Sequence, residues 1–468
     1  MLSPGLTASL RHVQPTLLRS AAHTQRHVLL LPAPRIIISS TLHPCRPLTT
    51  SSLISARFGA PPSRRRASPH IAAVAEDQEE PEAGFSQLNL PPSPDDAQQP
   101  SISRALLFFF GFSAISFTGA AYYSLRDTQH VAALLHSSKD VFANISSFFS
   151  SSSIGGRGDS SEAADVWGPG VTEPRLQIAK NHEVATRLGI RLEWLVGWCR
   201  QLHLPESVTE FVGRSYLIVA EKYLDLSPAK QVVVPVIAVN SIVFGLWTLA
   251  SARRGGGMWR WMTSNFLHRP SSNRTRTLLT SVYSHQSPLH FLFNNLALWS
   301  IGGSAVLVAA TAHPSCTIPE ASPLPHFLAF FTAAGIFAAT ASHVVAAVRF
   351  RRASRLYGLA LAKSTLGRQA SLGSSGAIYS TLVMSAFAFP DAQLGILFVP
   401  FISFPIGAGV AGLVAADLAG LVLRWRTFDH AAHLAGAAFG AVYWWGGGEA
   451  WQRGKRWLVQ SGALERGA

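Results

Sequence analysis

Gly373-Ser374-Ser375-Gly376-Ala377-Ile378-Tyr379 opens a run that carries no charged residue before Asp391. A serine set between small residues at the head of an apolar helix is placed to act as a nucleophile. Small neighbours let other backbones and a substrate come close, and the helix N-terminus offers free N–H groups to a developing anion. A serine alone is a weak nucleophile and needs a base. The best-placed base lies in a second apolar run, Ala432-His433-Leu434-Ala435-Gly436-Ala437-Ala438-Phe439-Gly440. His433 starts that helix, and Gly436 and Gly440 follow four apart, the spacing that lets two membrane helices meet closely. The sequence therefore pairs a serine on one tight apolar helix with a histidine on another.

Around these two runs the chain is depleted in charge. Of 468 residues, 14% are charged and 48% hydrophobic, against about 25% charged in a typical soluble domain. The uncharged residues gather in long runs, which argues for a multi-span membrane protein. The three cysteines, Cys45, Cys199 and Cys316, lie in different regions and suggest neither a disulfide framework nor a zinc site. The net charge of +14 is uneven: residues 1–75 hold nine arginines, no lysine and no acid. No compact Lys/Arg cluster interleaved with aromatics accompanies it, so nucleic acid is not expected as a partner.

The basic, acid-free composition of residues 1–75 is that of a mitochondrial or plastid transit peptide. Residues 76–103 turn acidic and proline-rich, from Glu76-Asp77-Gln78-Glu79-Glu80-Pro81 onward, and read as a disordered linker. Between Arg104 and Arg126 lie 21 uncharged residues, Ala105 to Leu125, long enough to cross a bilayer. Residues 127–229 read as a linker with a serine-rich run, Ser146 to Ser153, followed by amphipathic helices. From residue 230 to 450 a regular series is expected. Its spans are Gln231–Ala250, His290–Ala310, Phe327–Val348, Ser374–Phe389, Ile406–Leu423 and Ala431–Trp445, with a broken run at Leu394–Phe404 dipping into the interface. Residues 451–468 read as a tail. The layout is an all-α membrane protein with one early transmembrane helix plus six.

A third motif stands at the entry to the second core span. In His285-Gln286-Ser287-Pro288-Leu289-His290-Phe291-Leu292-Phe293-Asn294, His290 and Asn294 are four apart and share a helical face. Polar residues at membrane depth are costly and face the bundle interior or water. A His and an Asn side by side can donate hydrogen bonds to an oxyanion.

This ordered set resembles the rhomboid family of intramembrane serine proteases. The family shows His-x4-His-x3-Asn in its second core helix, Gly-x-Ser-Gly at the head of its fourth and Ala-His-x-x-Gly-x-x-x-Gly in its sixth. Here these stand as His285/His290/Asn294, Gly373/Ser375/Gly376 and His433/Gly436/Gly440. The early extra helix, the leader, Asp417-Leu418-Ala419-Gly420 and Phe428-Asp429-His430-Ala431-Ala432-His433 resemble the mitochondrial branch. The resemblance implies a six-helix rhomboid bundle with one extra N-terminal helix, in the mitochondrial inner membrane. It implies Ser375 as nucleophile, His433 as its base, and His290 and Asn294 with the Ser375 N–H as the oxyanion site. Tyr379 matches the tyrosine that packs on the catalytic imidazole. The family uses a dyad, so no acidic third member, cofactor or metal is expected. The implied substrates are single-pass membrane proteins within the lipid bilayer; by resemblance an inner-membrane dynamin-like GTPase and an imported peroxidase precursor are candidates.

Blander readings of the same residues exist. Ser375 and His433 could serve helix packing, and His290 with Asn294 a polar contact between helices. Asp417 stands alone in its span and reads as structural, as a residue that could bond a neighbouring helix, although its cost in lipid makes it worth testing. His430 and His433 are three apart and could ligate a metal, but no third ligand is evident. The rival function is a catalytically silent rhomboid-like protein that escorts membrane partners; silent relatives usually lack the serine or the histidine, and this chain keeps both. A transporter would show internal repeats, and none is seen.

Overall fold

The computed structural model describes residues 97–137, 171–311, 317–396, 399–425 and 428–464. The expected leader, most of the acidic linker, the serine-rich run, Cys45 and Cys316 lie outside them.

Helix α1 (Ile102–Ser137) holds the first apolar run. It does not stop at Arg126, where a linker was expected to begin. Leu125, Val131 and Ala132 pack against Leu176 and Ala179, and Asp127 pairs with Lys180 at 2.5 Å. A helix continues as long as its next turn finds partners, so it outlasts its apolar stretch. Burial works against the Lys180 charge, but hydrogen bonds to Asp127 and Glu183 more than offset it and hold the ammonium above its usual value. Helices α2 (Glu173–Gln201) and α3 (Glu206–Leu224) form a hairpin closed by Leu192, Val196, Ala220 and Leu224.

A helical turn at Pro228–Gln231 leads into α4 (Val234–Ser251), and α5 (Gly257–Asn265) follows. The expected span His290–Ala310 is two helices, α6 (Pro288–Ile301) and α7 (Ser304–Thr311), bent by 43°. The break falls where Gly302 takes φ 63° and where a Cβ on Gly303 would sit 2.4 Å from the Val232 side chain. Only glycine lets the chain turn there against the start of the preceding span.

Helix α8 (Leu324–Tyr357) is the centre of the bundle: 67% of its apolar window is buried, against 17% for α1. Phe327, Phe330, Phe331 and Ala334 form the core with Ile378 and Tyr443. α1 lies along its flank through Phe109 on Phe337, ring centroids 5.3 Å apart. After α9 (Leu359–Leu366), α10 (Ser375–Ala388) carries the serine motif. The run expected to dip into the interface forms an antiparallel hairpin, β1 (Gln393–Ile396) and β2 (Val399–Pro405), with Gln393 opposite Pro405. Helices α11 (Ile406–Leu423) and α12 (His430–Gln460) complete the chain.

The expected tail from residue 451 is therefore the last part of α12. Trp451, Lys455 and Leu458 are buried there, with Lys455 Nζ 2.8 Å from Glu320 and 2.6 Å from the Ile318 carbonyl. Among the described residues four helices are long and apolar enough to cross a membrane, or five if the bent pair is one span. Helix α10 has 14 residues, about 21 Å of helix, short of a bilayer core of about 30 Å. The fold is thus a helical membrane bundle with one small hairpin.

Candidate active site

The site lies where α10 meets α12. A Cβ on Gly436 would fall 2.0 Å from the Gly376 carbonyl oxygen, and one on Gly440 2.3 Å from that of Ser380. Gly376 in turn leaves room for Ala338 of α8, which a Cβ would meet at 2.4 Å. Three glycines thus hold three backbones closer than any side chain allows. Ser380 Oγ crosses the seam to the Gly436 carbonyl at 2.7 Å.

This contact fixes the serine beside the histidine. Ser375 Oγ and His433 Nε2 are 2.9 Å apart, although the two residues come from different helices. Ser375 is the first residue of α10 and is partly exposed, while His433 is buried. The Tyr379 ring, one turn below Ser375, stacks on the imidazole with centroids 4.5 Å apart and planes 12° apart.

Asp417, alone in its span, bonds neighbouring helices. It projects from α11 into the same cluster and is 4% exposed. One of its oxygens lies 3.0 Å from His433 Nδ1 and 2.6 Å from His430 Nδ1; the other accepts from the Tyr379 hydroxyl at 2.6 Å. A carboxylate at membrane depth is tolerable only with its lone pairs occupied, and three donors converge on this one. His430 and His433 thus both turn toward a carboxylate. A Cβ on Gly420 would strike the His430 ring at 2.3 Å, so that glycine admits the imidazole.

On the other side of Ser375 stand the residues expected to hold an oxyanion. Gly373 has φ 125°, and a Cβ there would meet the His290 ring at 2.6 Å. The loop before α10 can therefore pass over His290 only as glycine. Ser374, which the sequence motif leaves as an unspecified position, bridges two of the expected residues. Its hydroxyl is 3.3 Å from His285 Nε2 and donates to Asn294 Oδ1 at 3.4 Å. Asn294 Nδ2 donates to the His290 carbonyl at 2.8 Å, which leaves the amide's second N–H free. Burial, with His290 beside it, pushes His285 down to about 3, so it stands as a neutral imidazole.

Sequence reasoning overlooked Ser374 as a linker and both Asp417 and His430 as neighbours of His433. The intramembrane charge of Asp417 and the three-residue spacing of the histidines were the available signals.

A family model for the rhomboid domain matches residues 272–449. Presenilin-associated rhomboid-like protein A, mitochondrial, of Danio rerio is 33% identical over 220 residues, 47% of this chain and 48% of its own. The Homo sapiens presenilin-associated rhomboid-like protein, mitochondrial, is 33% identical over 221 residues, 47% and 49%. Rhomboid protein 1, mitochondrial, of Saccharomyces cerevisiae is 32% identical over 225 residues, 46% and 53%. The match thus spans about half the length of these curated relatives. No solved structure matches. The relatives' names carry the mitochondrial location that the resemblance implied, and the described residues hold four helices long and apolar enough to cross a membrane. The segment matched by the rhomboid-domain model, residues 272–449, encloses all three ordered motifs, which the fold brings together around Ser375.

Proposed function

We propose that the chain is an intramembrane serine protease of the mitochondrial inner membrane, cutting single-pass membrane proteins in or beside their spans. The observation that carries this reading is the 2.9 Å approach of Ser375 Oγ to His433 Nε2 across a glycine-tight helix seam. In the reaction Ser375 Oγ attacks the scissile carbonyl carbon, and its proton passes to His433 Nε2. The tetrahedral oxyanion is held by the Ser375 N–H at the head of α10 and by His290 and Asn294. Collapse breaks the C–N bond, and His433 returns the proton to the leaving amine. Water then attacks the acyl-enzyme, giving a proton to His433; release of the acid returns that proton to Ser375 Oγ. A short α10 that begins within the protein supports a serine met by an unwound peptide, since a substrate span must leave its helical hydrogen bonds to reach it.

The test is cleavage of a single-span model substrate by purified protein in detergent, wild type beside Ser375→Ala and His433→Ala. Each variant should lose at least about 10³-fold in kcat with folding intact. Cleavage that survives in Ser375→Ala ends this reading. Substrate capture without cleavage by the wild type would favour the silent escort.

A further inference from the structure

We infer that Asp417 is a positioning residue for His433, making the pair of Ser375 and His433 a three-membered relay that spans α10, α12 and α11. The inference rests on the proposed roles of Ser375 and His433. It begins from donor and acceptor chemistry. An ionised carboxylate only accepts hydrogen bonds. Its oxygens lie 3.0 and 3.3 Å from His433 Nδ1, so Nδ1 carries the proton. The other ring nitrogen, Nε2, then presents its lone pair to the Ser375 hydroxyl at 2.9 Å. That is the tautomer a base needs. The opposite tautomer would aim an N–H at the serine and could not take its proton.

Three further contacts hold the carboxylate in place. The Tyr379 hydroxyl donates to Oδ2 at 2.6 Å, and the same ring stacks on His433. His430 Nδ1 approaches Oδ1 at 2.6 Å, and Gly420 clears space for that ring. The Asp417 side chain is therefore fixed by groups other than the base it faces, and it can orient His433 rather than follow it. When His433 accepts the serine proton, the imidazolium forms beside a fixed negative charge inside a buried site, where such an interaction is strong. The ionisable and polar groups that face His433 are Ser375 and Tyr379 from α10, Asp417 from α11, His430 on its own helix and His290 from α6. Asp429 of the helix cap is engaged by the Ala432 N–H and Ser342. Asp417 is thus the carboxylate in contact with the ring.

The test compares wild type with Asp417→Asn and Asp417→Leu, with Ser375→Ala and His433→Ala as controls. It measures kcat and KM on the single-span substrate from pH 5 to 9, thermal unfolding, and the rate of Ser375 labelling by a fluorophosphonate. We expect both Asp417 variants to lose roughly 10- to 10⁴-fold in kcat with KM within about twofold. Labelling should slow in parallel. The acid limb of kcat/KM should move to lower pH, because the imidazolium loses its stabilising anion; a merely structural carboxylate would not shift that limb. An unchanged kcat and limb in Asp417→Asn, with His433→Ala inactive, overturns the inference and spares the proposed dyad. An active His433→Ala overturns the dyad itself. A measurement on the wild type holds even where variants fail to fold. In protein labelled with ¹⁵N-histidine, the His433 signals, assigned by their loss in His433→Ala, should show the proton on Nδ1. A proton on Nε2 overturns the inference.

Discussion

Helix α12 carries two buried charged clusters roughly 30 Å apart along its axis. At its start, Asp417 gathers His433, His430 and Tyr379. Toward its end, Glu320 gathers Lys455 and Trp451, whose indole N–H donates at 2.6 Å. The far cluster is closed: Lys455 is 0% exposed and also bonds the Ile318 carbonyl. Its polar groups end on protein. The near cluster is open at one point, because its chain of hydrogen bonds runs out through His433 to Ser375, which is partly exposed. Identical physics, the need to satisfy a charge away from water, yields a lock in one place and, in the other, an imidazole aimed at a partly exposed hydroxyl. What separates them is whether the last group in the chain has a protein partner.

The largest effect that can break this comparison is at the lock. Lys455→Met leaves Glu320 buried without its cation, and such a loss typically removes about 3–5 kcal/mol of stability. We expect a corresponding fall in unfolding midpoint in detergent, with kcat per folded molecule within about twofold. A folded Lys455→Met protein with strongly reduced kcat would show that the two ends of α12 are coupled.

A smaller effect separates the seams. Gly436→Ala would place its methyl against the Gly376 backbone, forcing α10 and α12 apart beside the Ser375–His433 pair. A displacement near 1 Å at such a pair is worth about 10² in rate, so kcat should fall by roughly that factor. Gly454→Ala, with open space around its Cβ, should leave kcat alone and keep or slightly raise stability. Equal losses in both would mean that α12 is sensitive everywhere, not at the glycine seam.

What was legible beforehand follows from distance along the chain. Ser375 with Gly373 and Gly376, and His433 with Gly436 and Gly440, sit in short local patterns that survive being read one residue after another. The link from Asp417 to His433 does not, because it depends on how α11 and α12 rotate after the turn between them. The extent of α1 was misread because Arg126 and Asp127 mark where apolar sequence stops, whereas the helix runs on past them, with Asp127, Val131 and Ala132 packed on α2. The last span was expected to end at Trp445. Instead Gly448 lets the helix pass against α7, where a Cβ would meet the Ala309 carbonyl at 2.0 Å. The strands β1 and β2 were hidden because an apolar run broken by proline has no period that distinguishes a strand from an interrupted helix.

The smallest test is the most discriminating at the open cluster. Tyr379→Phe keeps the ring that stacks on His433 and removes only the hydroxyl that donates to Asp417. A hydrogen bond to a charged group is worth about 1.5–3 kcal/mol, but two imidazole donors remain and Tyr379 lies at the partly exposed edge, where water can replace its hydroxyl. The loss in kcat should therefore stay below about tenfold, with KM unchanged. Tyr379→Ala removes the stacked face as well and should lose more. If Phe and Ala behave alike, the hydroxyl matters and the stacked face does not, so Tyr379 acts through the carboxylate. If Phe is silent and Ala is not, the ring holds His433 by contact, and the tautomer is set by Asp417 without its help.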